Sequence, residues 1–293
     1  MELFRALAVF AEPPTKESAG IAVALELGAL PDASEYTETF VFQLYPYASV
    51  YLGAEGMLGG EARDLIAGFW RALRQTPPPE PDHLAVMLAL YAHLVELEAN
   101  EPDDARRESW RRARRAYLWE HLLSWLPAYL SKLTEIASPF YRRWGETLLD
   151  ALCEEARAMG EQTQLSLHLR DAAGLVDPRE GATGDFLQSL LSPARSGMIL
   201  VRSDLSRAAR TLELGLRIGE RKYVLESLLA QDARGVLDWL AREASGWGER
   251  HRRLRDTLGD TSRAWEAKAA ASVRLLEELN AAADAEIEAA SGN

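Results

Sequence analysis

The stretch from Asp82 to about Ala99, DHLAVMLALYAHLVELEA, is the strongest constraint on the fold. Leu84, Val86, Met87, Leu88, Leu90, Tyr91, Leu94, Val95 and Leu97 leave almost no side of a helix polar. A helix apolar all round has to be buried, so this one is expected to be the central, most covered element. Its start is marked twice. Pro77 to Pro79 force an extended approach, and Asp82 stands where an N-cap belongs. Amphipathic helical spacing recurs on both sides, clearest in Glu61–Arg74 with Leu65, Ile66, Phe69, Trp70 and Leu73 on one face. No strand pattern survives comparison with helix, and the fold class expected is all-α.

Upstream of that helix the chain reads YPYASVYLGAEGMLGG. Tyr45, Tyr47 and Tyr51 lie within seven residues, interrupted by Pro46 and followed by Gly53, Gly56, Gly59 and Gly60. Such a segment cannot be one continuous helix, and aromatics on irregular backbone usually serve recognition. Tyr45 to His83 is therefore the expected recognition surface. Asp82 has a plainer reading as a helix cap worth about 1 kcal/mol. His121, alone on an apolar helix, has a plainer reading as a core residue.

The order of four motifs, PYASVYL with its Gly-rich turn, E-P-D-H at a helix start, HLLSWLP and SPFY, resembles the TorD/DmsD/NarJ family of molybdoenzyme maturation chaperones. The resemblance covers roughly Met1 to Arg170. It implies a TorD-like helical bundle with an additional C-terminal helical extension, acting in the cytoplasm. It also implies partners: a molybdenum-cofactor oxidoreductase apoprotein and its twin-arginine leader peptide. The positions implied for leader binding are Tyr47, Ser49, Tyr51, Glu80, Asp82 and His83, supported by His121, Trp125, Pro127 and Tyr141. Two departures stand out. Family members often carry one more residue between the Glu and the Asp-His pair, and often a tryptophan where this chain has Tyr47.

Charge and motifs bound the rest. Thirty-three Lys and Arg against 45 Asp and Glu give a net charge of −12, which disfavours nucleic acid and anionic membrane and favours cationic partners. The one cysteine, Cys153, cannot form an internal disulfide or a redox pair. His93, His168 and His251 have no neighbour at metal-ligand spacing, and phosphate-loop, nucleophile-elbow and dinucleotide motifs are missing. No metal, no cofactor and no enzyme activity are expected. The N-terminus LFRALAVFA includes Arg5 and lacks the apolar core of a secretory signal, so neither export nor membrane insertion is expected.

Asp171–Gly184, rich in Gly, Asp and Pro, is the expected linker between a chaperone domain, 1–170, and an extension, 185–293. Arg107, Arg111, Arg114 and Arg115 form a stripe best read as a solvated helix face. A long helix is expected from Pro139 to about Leu169. The last helix, roughly Asp260 to Ala290, has sparse apolar positions at Trp265, Val273, Leu276, Leu279 and Ile287, as if packed along only part of its length. Arg195 to Arg255 holds 13 basic residues against 8 acidic, a local net of +5. Those arginines suit docking on the acidic domain, with Arg250, Arg252, Arg253 and Arg255 as the contact and Trp239, Leu240 and Trp247 beneath it. The alternative is a helical regulator using this basic segment on nucleic acid or a partner protein. Homodimer formation by helix exchange stays open.

Overall fold

The computed structural model describes residues 2–54 and 56–291, with side chains through residue 282, so the side chain of Ile287 lies outside the described residues. Among the described residues all regular structure is helical, apart from an isolated antiparallel bridge between Tyr47 and His83. No helix there is long and apolar enough to cross a membrane.

The helix Leu84–Asn100 is central, as its composition requires, with Leu84, Met87, Leu88, Leu90, Tyr91, Ala92 and Leu94 buried. The first helix, Glu2–Ala8, lies along it and sets Phe4 edge-on to Tyr91 at 4.9 Å. The helix Asp104–Tyr117 covers another side. Its arginine stripe is only half solvated. Arg107 pairs with Asp104, one turn away, while Arg114 turns inward over the Tyr91 ring, 2.9 Å from Glu98 and bonded to Glu155. Arg115 reaches the Glu161 carbonyl. Two of the four arginines therefore fasten the bundle, which charge periodicity alone does not reveal.

After Tyr117 the helix widens into an i→i+5 turn over Leu118–Leu122, closed by Leu123 N donating to Leu118 O at 2.8 Å. Pro127 sits in the first turn of a new helix, Leu126–Ile136, where its missing N–H costs nothing. The next helix, Pro139–Met159, stops at Gly160 with φ +76°. It is shorter than its apolar periodicity suggests, and Leu167–Asp171 is a separate turn. Val41 is 44% exposed, because the stretch Thr37–Gln43 is also wound in wide turns that turn Phe40 inward.

Residues after Gly184 share this core. Trp265 donates its indole N–H to the Ser124 carbonyl at 2.9 Å. Gly197, at φ +72°, lets its chain lie against the last helix so closely that a Cβ would stand 2.2 Å from the Ala269 nitrogen. The segment read as a linker is tied down too, since Lys268 donates to Ala172 O and Arg195 to Gly174 O, both at 3.0 Å. Most telling is Lys132. It has no exposed surface and lies 3.0 Å from the buried carboxylate of Asp204 and 3.1 Å from Glu135. Arg207 closes on Asp204 at 2.7 Å, and Arg250 reaches Glu135 at 2.7 Å over the face of Trp247. Of the expected docking arginines, Arg250 crosses the boundary, whereas Arg252 and Arg255 both pair with Glu266 inside the C-terminal half.

A buried charge left without its partner is costly. Asp204→Ala, which also strips the N–H of Val201 of its acceptor, is expected to lower stability by about 3–5 kcal/mol. The double change Lys132→Met with Asp204→Leu should lose much less, as measured by urea unfolding.

Two buried histidines add an acid sensitivity. His251 lies between Trp247 and Trp265, at 5.4 and 5.5 Å, with Nε2 donating to Gly197 O at 2.8 Å. Burial pushes it down to about 4. Burial also pushes His121 down to about 3. The unfolded chain takes these protons first, so the stability is complete above about pH 6.5 and declines as the pH falls toward 4, by up to about 1.4 kcal/mol per unit for each group. His121→Phe should remove one group's share, about 2 kcal/mol of the loss between pH 6.5 and 5. Denaturant titrations at the two pH values check it.

Candidate functional site

The expected recognition segment folds back on itself. Ala48 N donates to Asp82 O at 3.0 Å and Leu84 N to Pro46 O at 2.8 Å, which joins the tyrosine segment to the start of the central helix. Between them Ala48–Leu52 makes a short, fully buried helix. Glycine at Gly53, Gly56, Gly59 and Gly60 then supports a tight loop. Gly56, at φ +63°, meets the C-terminal half, where a Cβ would stand 3.1 Å from Leu191 O.

Asp82 organises this fold-back from inside. It is 2% exposed, and its Oδ2 accepts from the Ser49 hydroxyl at 2.6 Å. The same hydroxyl oxygen accepts from Gly59 N at 3.0 Å. The helix cap is not Asp82 but His83, whose Nδ1 accepts from Ala85 N at 3.3 Å. That acceptor role needs a neutral ring, and burial lowers the His83 pKa although Glu12, Glu80 and Asp82 pull it upward. At the surface the Tyr47 hydroxyl donates to Glu80 at 3.1 Å while the Tyr47 ring meets His83 at 4.8 Å. Glu12, more than half exposed, stands 3.5 Å from His83 Nδ1. Burial, then Glu80, pushes the Tyr47 phenol up to about 12.

The other implied positions are core residues. Tyr51, 2% exposed, stacks on Trp125 at 5.2 Å and donates its hydroxyl to Tyr45 O at 2.9 Å, so it supports the surface rather than forming it. Trp125 donates to His121 O, and His121 packs among the Tyr117 and Phe69 rings. Pro127 is buried in its helix, and Tyr141 is buried against Phe40 and Trp144. Tyr47, Ser49, Glu80, Asp82 and His83 thus come together, with Tyr51 and Trp125 beneath and His121, Pro127 and Tyr141 elsewhere in the core.

The Gly59 loop, within the expected recognition segment, forms the rim of a groove. Two depressions, of about 410 and 500 Å³, meet at Ala54 and Met57. Met57 and Leu58 are 57% and 59% exposed, an apolar strip on this rim. Leu52 and Leu58 line one depression with Glu61, Leu167, His168 and Asp171; Val176, Asp185, Gln188 and Arg195 line the other. Burial lowers the pKa of His168, favouring the neutral ring. Leu167, His168, Asp171 and Asp185 lie beyond every motif, and no sequence signal marks them.

Residues 16–131 match the family model described as nitrate reductase delta subunit. This region, less than half of the chain, is similar to the TorD/NarJ family. Vibrio cholerae chaperone protein TorD is 35% identical over 95 residues, 31% of this chain and 42% of that protein. The Vibrio vulnificus TorD is 31% identical over 113 residues, 37% of this chain and 52% of that protein, and the Shewanella pealeana TorD is 33% identical over 119 residues, 36% and 49%. The alignments thus span about half the length of the curated relatives. The TorD/NarJ-matched region contains the whole Tyr45–His83 segment and the apolar rim of the groove, whereas Leu167 to Arg195 lie outside it.

The hydrogen bonds from Asp82 to the loop imply that Ser49→Ala or Asp82→Asn should loosen residues 53–60 before the fold fails. Amide exchange at Gly59 should rise at least about tenfold, since one lost hydrogen bond is worth about 1.5 kcal/mol or more beside a charge. Hydrogen exchange read by mass spectrometry checks this against the central helix as internal standard.

Proposed function

We propose that this protein is a cytoplasmic maturation chaperone for a molybdenum-cofactor oxidoreductase, holding the apoprotein by its twin-arginine leader before export or assembly. The observation that carries this reading is an apolar rim with carboxylates around it, built on the TorD/NarJ-matched segment. A leader combines a cationic head with an apolar stretch. Met57 and Leu58 offer the apolar stretch a surface to cover, and Glu61, Asp171 and Asp185 offer the guanidinium groups partners. Tyr47, Glu80 and Glu12 extend the acidic rim toward the start of the central helix. Asp82 and Ser49 act here as the pins that shape the loop, not as contacts. The chaperone adds no chemistry of its own in this account: it shields the apoprotein until its cofactor is in place.

The test is the affinity of a synthetic twin-arginine leader for the full chain, by fluorescence anisotropy. Met57→Ser with Leu58→Ser should weaken binding by about tenfold or more while the thermal midpoint stays within error, because both side chains are exposed. Glu61→Gln with Asp185→Asn should weaken it at low salt and match the wild type near 1 M salt, where the screening length is only about 3 Å. The apolar contribution should survive that salt. Wild-type affinity in both pairs of variants would remove the groove from the mechanism.

A further inference from the structure

The C-terminal half carries a second exposed apolar face, remote in sequence from the groove. Residues 212–220, LELGLRIGE, connect the helices Arg202–Thr211 and Arg221–Gln231. Ile218 is 98% exposed, with Leu216 at 49% and Tyr223, in the first turn of the next helix, at 50%. The loop is fastened, not loose. The Gln231 amide takes both backbone groups of Gly215, accepting from its N–H at 2.7 Å and donating to its carbonyl at 2.9 Å. At the other end Gly219 rests on the Tyr223 ring, where a Cβ would stand 2.8 Å from Cδ1. Hydrogen bonding is thus used to present aliphatic side chains to water, and ordering before binding lowers the cost of association.

The charges around this face are basic. Arg202, Arg217 and Arg221 frame a depression of about 120 Å³ floored by Leu205 and Val224. Arg221 donates to Leu200 O at 2.6 Å, but Arg202 and Arg217 make no ion pair among the described residues. Glu213 and Glu220 stand at the ends of the loop, and Asp204, the nearest buried carboxylate in sequence, is taken by Lys132 and Arg207. We infer that this face docks an acidic protein segment bearing aliphatic side chains, which cover Ile218 and Leu216 while its carboxylates meet Arg202 and Arg217. Aliphatic groups give bases nothing to stack on, so nucleic acid fits less well. A second copy docking symmetrically would set the same arginines against each other. The face belongs to no part of the TorD/NarJ match.

The test uses the full chain and a labelled peptide of repeating Glu-Glu-Leu-Leu, read by fluorescence anisotropy. Wild type should bind it, and Ile218→Ser or Arg217→Glu should weaken binding by about tenfold. Replacing Leu by Ser, or Glu by Lys, in the peptide should do the same. Both protein variants should keep the wild-type thermal midpoint and leader affinity, since Ile218 touches almost nothing. Undiminished peptide binding by the variants would overturn the inference. So would tighter binding of a single-stranded oligodeoxynucleotide than of the peptide, or self-association of the wild type that Ile218→Ser abolishes.

Discussion

An amine with no exposed surface needs the protein to supply the partners that water would have supplied. Lys132 meets that condition by taking Asp204 from a helix seventy-two residues further on, and the surrounding charges follow from this pairing. Asp204 carries Arg207, and Glu135 beside Lys132 carries Arg250. Each side of the expected boundary contributes both signs, and the pairs Lys132–Asp204 and Arg250–Glu135 cross it. The tryptophans close over this centre: Trp247 lies on Lys132 and Arg250, and Trp265 holds the Ser124 carbonyl. The C-terminal half thereby completes the core.

The candidate groove depends on the same joining. Its apolar rim comes from the loop that Ser49 and Asp82 hold, and its far wall from residues 167–195. A buried carboxylate, a hydroxyl and one amide fix the loop, and an extension outside the family match supplies acidic partners opposite it.

Much of this was legible beforehand, and the failures have definite causes. The central helix was readable because a segment apolar on every side has few alternatives, and the Tyr45–His83 segment because prolines and glycines limit backbone choices. The role of Asp82 was misplaced by one position: its side chain faces Ser49, and His83 does the capping, a swap that leaves the sequence pattern unchanged. Tyr51 looked like a surface anchor because aromatics near glycine usually are, but the short helix Ala48–Leu52 turns it onto Trp125. The linker looked free because Gly, Asp and Pro are poor in apolar contacts, although its carbonyls accept from Lys268 and Arg195. Long-range backbone acceptors leave no trace in composition.

The contact at Gly56 turns the two halves into one mechanical part. Its missing Cβ lets the rim loop lie against the Leu191–Ser192 backbone, so the loop cannot swing outward without leaving that seat, and the seat cannot shift without pressing on the loop. The contact therefore sets the spacing between the groove's rim and its far wall. Grafting residues 16–131 onto a different C-terminal half would therefore carry over the rim loop but not the seat that sets the groove's aperture.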